Sequence, residues 1–375
     1  MMNITIIGAG LACYKLVTFL RKRKYDGEIR VISRCDGHQY YKPKLSTGFS
    51  DALHPDDHIT EDSGAWADKL DVTLVNDTVV TSISPETKTV HTSRGDFSYG
   101  KLVLAFGASP RAITSSVDAD GALDNVNSLQ SYRLLYEKLK SQDCQPLIIG
   151  AGLVGCELSS DLANAGYQPT LVSSGDYPFH GLLPRVFSEF IKGKMIEAGV
   201  RFVDRQLVVN MTRDEAVFGI DLSSGKREAA TVVVNCAGLS VNTALAGQAG
   251  IATDSGILTD RYLQTNVDDI YAIGDCAQID GQLHQYIAPI QVCARALAAT
   301  MTGQATPVNL TFYPVEIKIQ QSPTRFMLKE KPTEWKTEET ADGMIARGYR
   351  DGQLCGFAVT GDALAQMNAL VVELA

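Results

Sequence analysis

Two stretches of this chain repeat one pattern, and that pattern restricts what the chain can fold into. Ile4-Thr5-Ile6-Ile7 runs into Gly8-Ala9-Gly10-Leu11-Ala12-Cys13, and Leu147-Ile148-Ile149 runs into Gly150-Ala151-Gly152-Leu153-Val154-Gly155. In each copy an apolar strand meets a glycine turn, the turn opens a helical pattern, and a second apolar strand follows about 20 residues on. Those second strands are Ile29 to Ser33 and Thr170 to Ser173. A lone Gly-x-Gly-x-x-Gly is weak evidence, but within a strand, turn, helix and strand it marks a dinucleotide site. The first glycine makes the turn and the second lets the backbone approach a pyrophosphate. The helix N-terminus then presents free N–H groups and the positive end of its dipole. Two copies imply two dinucleotides.

The copies differ in detail. Cys13 stands where the first motif would have its third glycine, a position that serves helix-to-strand packing. The acidic residue that binds an adenosine ribose is displaced in the first copy, where Ser33-Arg34-Cys35-Asp36 ends the strand. It is missing in the second, where Ser173-Ser174-Gly175 stands. No arginine follows directly there to accept a 2′-phosphate, so NADH is favoured over NADPH. Lys101 to Ala108 and Thr231 to Gly238 read as buried strands ending in glycine turns, each where the chain would cross between domains. Ile270 to Ile273 delivers Gly274-Asp275 to a strand end, and a helix follows from about residue 289 to 301. The fold class is therefore α/β, with two Rossmann-like dinucleotide-binding domains and a small α+β C-terminal domain. Residues 1–108 and 239–310 make the first domain, 109–238 the second and 311–375 the third. The last is short, so a monomer is expected.

Composition excludes several alternatives. The net charge is −9, and the only basic run, Arg21 to Lys24, sits near the end of the first helix, so no nucleic acid partner is expected. Apolar runs such as Leu102 to Phe106 fall far short of the roughly 20 residues a membrane span needs. The chain enters its first strand at once, which points to the cytoplasm. Eight cysteines lie at 13, 35, 144, 156, 236, 276, 293 and 355. With no Cys-x-x-Cys among them, neither a redox pair nor a paired metal spacing is present, and no metal is expected.

The two glycine units, the connecting strand-glycine segments and the closing Tyr271-Ala272-Ile273-Gly274-Asp275 resemble the two-dinucleotide-domain flavoprotein reductases of the glutathione reductase superfamily. Tyr41-Lys42-Pro43-Lys44-Leu45-Ser46 is similar to the segment found in its rubredoxin and ferredoxin reductase branch. Gly152-Leu153-Val154-Gly155-Cys156-Glu157 is similar to the second fingerprint of that branch. The resemblance implies FAD at the first motif, on Gly8, Ala9, Gly10, Leu11 and Ala12, with Ser33 and Arg34 at the adenosine end and Val79 on the adenine through its backbone. It implies Asp275 on a ribitol hydroxyl, and Ile287 and Lys318 at the isoalloxazine. NAD(H) would lie on Gly150, Gly152, Leu153, Val154, Gly155, Glu157 and Gly238. Lys42 and Glu157 would face the flavin from different domains as a mostly buried ion pair and serve as the catalytic residues. Read without the resemblance, Lys42 is a solvated loop lysine and Glu157 a first-turn glutamate favoured by the helix dipole.

Disulfide reductases of the superfamily carry a Cys-x-x-x-x-Cys pair in the first helix, where this chain has only Cys13. The implied activity is therefore electron transfer from NADH through FAD to rubredoxin or a related small iron carrier, without a thiol relay. Flavorubredoxin and a [2Fe–2S] ferredoxin are alternative acceptors. A flavin-bearing NADH sensor or scaffold is the alternative of another class.

Overall fold

Ile4–Ile7 (β1) is buried along its whole length, as a strand covered on both faces must be. The computed structural model describes residues 3–113, 123–140, 143–310 and 312–374. After β1 come α1 (Leu11–Lys22), β2 (Ile29–Ile32), β3 (Thr73–Val75) and β4 (Lys101–Leu104). The chain then forms α2 (Leu129–Leu139), β5 (Pro146–Ile149), α3 (Leu153–Asn164), β6 (Thr170–Val172), α4 (Arg185–Glu197), β7 (Arg201–Val203) and β8 (Val232–Asn235). β9 (Ile270–Ala272) and α5 (Ile287–Met301) follow. The last stretch holds β10 (Val315–Ile317), β11 (Thr324–Leu328), β12 (Glu334–Glu339), β13 (Gly343–Arg350), β14 (Gln353–Gly361) and α6 (Met367–Leu374).

The chain divides into two units. The first comprises Met1–Tyr41, Asp56–Ser109 and Leu239–Thr311. Its main sheet has the order β9-β4-β1-β2-β3 with every pair parallel. β1 lies between β2, which follows it directly, and β4, which returns from later in the chain. This is the reversal of strand order outside which α/β sheets bind ligands, and it puts Gly8 there. Cys13, Leu16, Val17 and Leu20 of α1 join Ile290 and Leu297 of α5 in the core on this sheet.

The second unit comprises Lys42–Pro55, Pro110–Gly238 and Phe312–Ala375. Its parallel sheet, in the order β7-β6-β5-β8, repeats the arrangement: β5 lies between its successor β6 and the later β8, so Gly150 stands at the reversal. A five-stranded antiparallel sheet, β10-β11-β14-β13-β12, forms the last part. Phe357, Val359 and Ile345 on this sheet pack with Leu370 and Leu374 of α6.

The sequence division differs from these units in two ways. Lys42–Pro55, expected within the first domain, groups with the second unit, as do residues 312–374. The expected boundary at 311 lies outside the described residues. Strand ends also differ. Ser33 and Ser173 drop out of the strands expected to hold them because each hydroxyl turns forward to accept an N–H, from Cys35 and from Gly175, both at 3.2 Å. The expected strand from 312 to 318 shortens to β10. Pro314 has no N–H to give a ladder, and the Lys318 N–H goes to a carboxylate instead.

Candidate functional site

The two glycine turns have the same geometry. Gly8 and Gly150 have φ of +106° and +108°, and a Cβ on either would stand 2.5 Å from a backbone carbonyl, Ala105 O or Cys236 O. Only glycine satisfies both constraints. Gly10 and Gly152 then cap α1 and α3 with no side chain of their own to bond the first-turn N–H groups, and a Cβ on either meets nothing within 4 Å. Each turn is thus an open cradle of backbone donors at a helix N-terminus, which fits a pyrophosphate. Ala9 and Ala12 are buried beneath the first turn. Leu11 and Leu153 are half-buried, and Val154 is exposed.

At the end of β2 Ser33 is buried, its hydroxyl committed to the turn, and Arg34 is exposed. The Val79 N–H donates to Ser93 Oγ at 3.1 Å and its carbonyl accepts the Ser93 N–H at 2.9 Å. An adenine contact expected at Val79 would therefore use the second carbonyl lone pair or displace the serine hydroxyl. Asp275 lies in the turn Gly274–Cys276 directly after β9, and Gly274 approaches Ala12 so closely that a Cβ on it would be 3.0 Å from Ala12 Cβ. Ile287 is the first residue of α5, half-buried. Gly238, with φ +104°, follows β8 in the second unit and accepts the Arg111 N–H.

Glu157 is 3 % exposed on α3. Lys318 places a cation on it, with Nζ 2.6 Å from Oε2, while the Lys318 backbone N–H donates to Oε1 at 2.9 Å. Ser46 Oγ donates to Oε2 at 2.6 Å. Lys42, the expected partner, opens the 3-10 turn Lys42–Ser46, so its segment reaches Glu157 through Ser46. Both residues also stand in one unit, where the sequence reading had them on different domains. The cause is the next turn of α3. Asp161 accepts the Phe49 N–H at 2.7 Å, the Ser50 N–H at 3.3 Å and the Ser50 hydroxyl at 2.5 Å, tying the segment 46–50 to the helix.

Sequence reasoning missed Asp161 and its neighbours. Glu157, Ser160, Asp161 and Asn164 are spaced i, i+3, i+4, i+7, one polar stripe on a helix otherwise burying Cys156, Leu158 and Leu162. Ser160 donates to Gln321 at 2.6 Å and Asn164 to Gln320 at 2.9 Å, so the stripe also holds the residues after β10. A polar stripe on a buried helix was the available signal. Burial pushes the Asp161 carboxyl up, and its three donors only partly offset this. Folding therefore favours its protonated form, so this group costs stability at neutral pH and the cost is relieved as pH falls through the raised value.

All eight cysteines are free thiols. Burial raises those of Cys13 and Cys156, and raises Cys236, Cys276 and Cys293 to about 12. None of these five is a nucleophile at neutral pH. Among the described residues no group of His, Cys, Asp and Glu could hold a metal ion, and no helix is long and apolar enough to cross a membrane.

A family model described as pyridine nucleotide-disulphide oxidoreductase matches residues 2–303, and one described as rubredoxin binding C-terminal domain matches residues 307–374. A rubredoxin-NAD(+) reductase of Acinetobacter baylyi is 35% identical over 99% of this chain and 97% of its own length. A nitric oxide reductase FlRd-NAD(+) reductase of Aeromonas salmonicida is also 35% identical, over 99% of this chain and 96% of its own. Among solved structures, an NADH:rubredoxin oxidoreductase from Clostridium acetobutylicum superposes with a TM-score of 0.81 at 22% identity, covering 100% of this chain and 93% of that one.

Proposed function

This chain belongs to the pyridine nucleotide-disulphide oxidoreductase family, and from that premise we propose that it is an oxidoreductase passing electrons from NADH, through bound FAD, to rubredoxin. The observation that carries the acceptor is the match of residues 307–374 to a rubredoxin binding domain, within an alignment that spans the whole chain. FAD supplies the exchange of a two-electron hydride for single electrons. The chain's own part is positioning and electrostatics. The open turn of Gly8 to Ala12 offers α1 N–H groups to the FAD pyrophosphate, and the turn of Gly150 to Gly155 does the same for NADH. Lys42 and Lys318 are assigned the electrostatic role, since positive charge near the flavin favours its reduced, anionic form, and Glu157 is assigned to hold Lys318 in place. Ser33, Arg34, Val79, Asp275 and Ile287 are assigned to FAD, and Gly238 to NAD(H).

The test is anaerobic. The purified protein is expected to be yellow with FAD and to bleach on adding NADH; a colourless protein, or one carrying FMN, overturns the reading. Rates with purified rubredoxin, flavorubredoxin and ferredoxin then rank the acceptors. Flavorubredoxin is the second reading, favoured by the equal identity to the Aeromonas salmonicida relative. Turnover below about 1 s⁻¹ with every carrier would instead favour the sensor or scaffold. Work as a monomer in the cytoplasm belongs to the same proposal; for the compartment, eight free thiols suit a reducing one.

Because the Cys13 thiol is buried and raised, carrier reduction is expected to be unchanged after N-ethylmaleimide treatment of the native protein. Loss of more than about half the rate would reinstate a thiol in the electron path.

A further inference from the structure

Three loops of the second unit leave the carboxyl ends of adjacent parallel strands: the glycine turn after β5, residues 173–181 after β6, and residues 204–206 after β7. A dinucleotide on the glycine turn has its adenosine ribose over the end of β6. The two outer loops are bound to each other and to the turn. The Arg205 N–H donates to Gly175 O and the Gln206 N–H to Ser173 O, both at 2.9 Å, while the Phe179 N–H donates to Ala151 O at 2.9 Å. Phe179 is 2 % exposed and held at φ +58°. A bulky residue stays there only where its surroundings fix the loop.

At this place stand two arginines that no local spacing reveals. Arg205 Nη2 lies 3.1 Å and Arg185 Nη1 3.0 Å from the same oxygen, Asp176 Oδ2, and His180 Nδ1 lies 3.2 Å from Oδ1. Glu189, 3.5 Å from Arg185 Nη2, is the other acidic group on the cluster. The Asp176 side chain is mostly covered, whereas both arginine side chains are more than half exposed. Burial pushes its carboxyl up, yet the Arg205 hydrogen bond and the charges of both arginines hold it below the usual carboxylate range. The residue at the strand end itself is Ser173, which brings no charge.

We propose that Arg185 and Arg205 form a latent site for a phosphomonoester on the adenosine ribose, and that Asp176 fills this site from within the chain and so sets the preference for NADH over NADPH. The 2′-phosphate of NADPH and the Asp176 carboxylate are both anions seeking the same pair of forks, so one excludes the other. NADH, with a neutral 2′-hydroxyl, leaves the internal pair intact. This rests on the reading that the second unit binds the nicotinamide nucleotide.

Calorimetric titration of the FAD-bound protein with adenosine 2′,5′-bisphosphate and with 5′-AMP tests it. Asp176→Asn is expected to tighten the bisphosphate by about 10- to 100-fold, the range of one charge-assisted hydrogen bond, while 5′-AMP changes less than about threefold. Adding Arg205→Met is expected to abolish the gain. Asp176→Ser removes the charge with a residue suited to a turn, and serves if the asparagine variant does not fold. Equal bisphosphate affinity in the wild type and both aspartate variants overturns the proposal, as does a gain that survives loss of Arg205. If NADH itself fails to bind the wild-type protein, the underlying dinucleotide reading has failed, which is a separate result.

Discussion

Glu157→Gln is expected to lower the unfolding free energy by about 3 kcal/mol, the low end of the cost of breaking a buried ion pair from one side. The low end applies because the two partners differ in burial: the Glu157 side chain is 4 % exposed but Lys318 is 27 % exposed, so the stranded ammonium regains some water. Glutamine still offers one oxygen to the Lys318 N–H, but its amide NH2 then faces both the ammonium and the Ser46 hydroxyl, which donates to the carboxylate in the native protein. For a cooperative unit of roughly 200 residues the change is a fall of about 6–12 °C in Tm. Thermal unfolding of the single variants and of Glu157→Gln with Lys318→Met separates the pair from its surroundings. Coupling is expected, with the double variant less destabilised than the sum of the two singles. A cost below about 1 kcal/mol for Glu157→Gln would mean that the pair behaves as a solvated surface bridge.

The parts of this architecture that the sequence displays are those whose causes are local. β1 and β5 are apolar runs closed by glycines that no other residue can replace, so their positions and the helices after them follow from a few adjacent residues. The ends of β2 and β6 are misjudged by one residue each. Ser33 and Ser173 are compatible with a strand, and only the hydroxyl bond to the second residue on decides against it. What stayed hidden was pairing at long range. Glu157 was singled out by its motif, but Lys318, a cation on it, lies 161 residues away, and nothing near Lys318 marks that pairing. Asp161 reaches back 112 residues to Phe49, which carries a loop expected in the first domain into the second unit. Arg205 lies 29 residues from Asp176, on the loop after the next strand, so a search for an arginine just after β6 had to miss it.

Two glycines of the second turn are expected to fail in different ways when given a methyl group, and the contrast separates binding from folding. Gly152 has φ −81°, and its Cβ would enter open space. Gly152→Ala is therefore expected to fold with unchanged Tm while the Kd for NADH rises about 10- to 100-fold, because the methyl occupies ground a pyrophosphate needs in order to reach the N–H groups. Gly155 is closed in. Its Cβ would run into Gly150 O and stand 3.3 Å from Cys236 Cβ. The first unit shows that a helix can accept a side chain at this position, since Cys13 is fully buried there. α3 has less freedom to move away, because Glu157 and Asp161 fix its next two turns to residues 46–50 and to Lys318. Gly155→Ala is thus expected to cost about 1–3 kcal/mol in stability and to weaken NADH as well. Loosening the helix with Asp161→Ala, which removes the bonds to Phe49 and Ser50, should lessen the further penalty of Gly155→Ala, since the helix can then spread as α1 does. If the two substitutions add independently in thermal unfolding, the stripe on α3 does not restrain the turn.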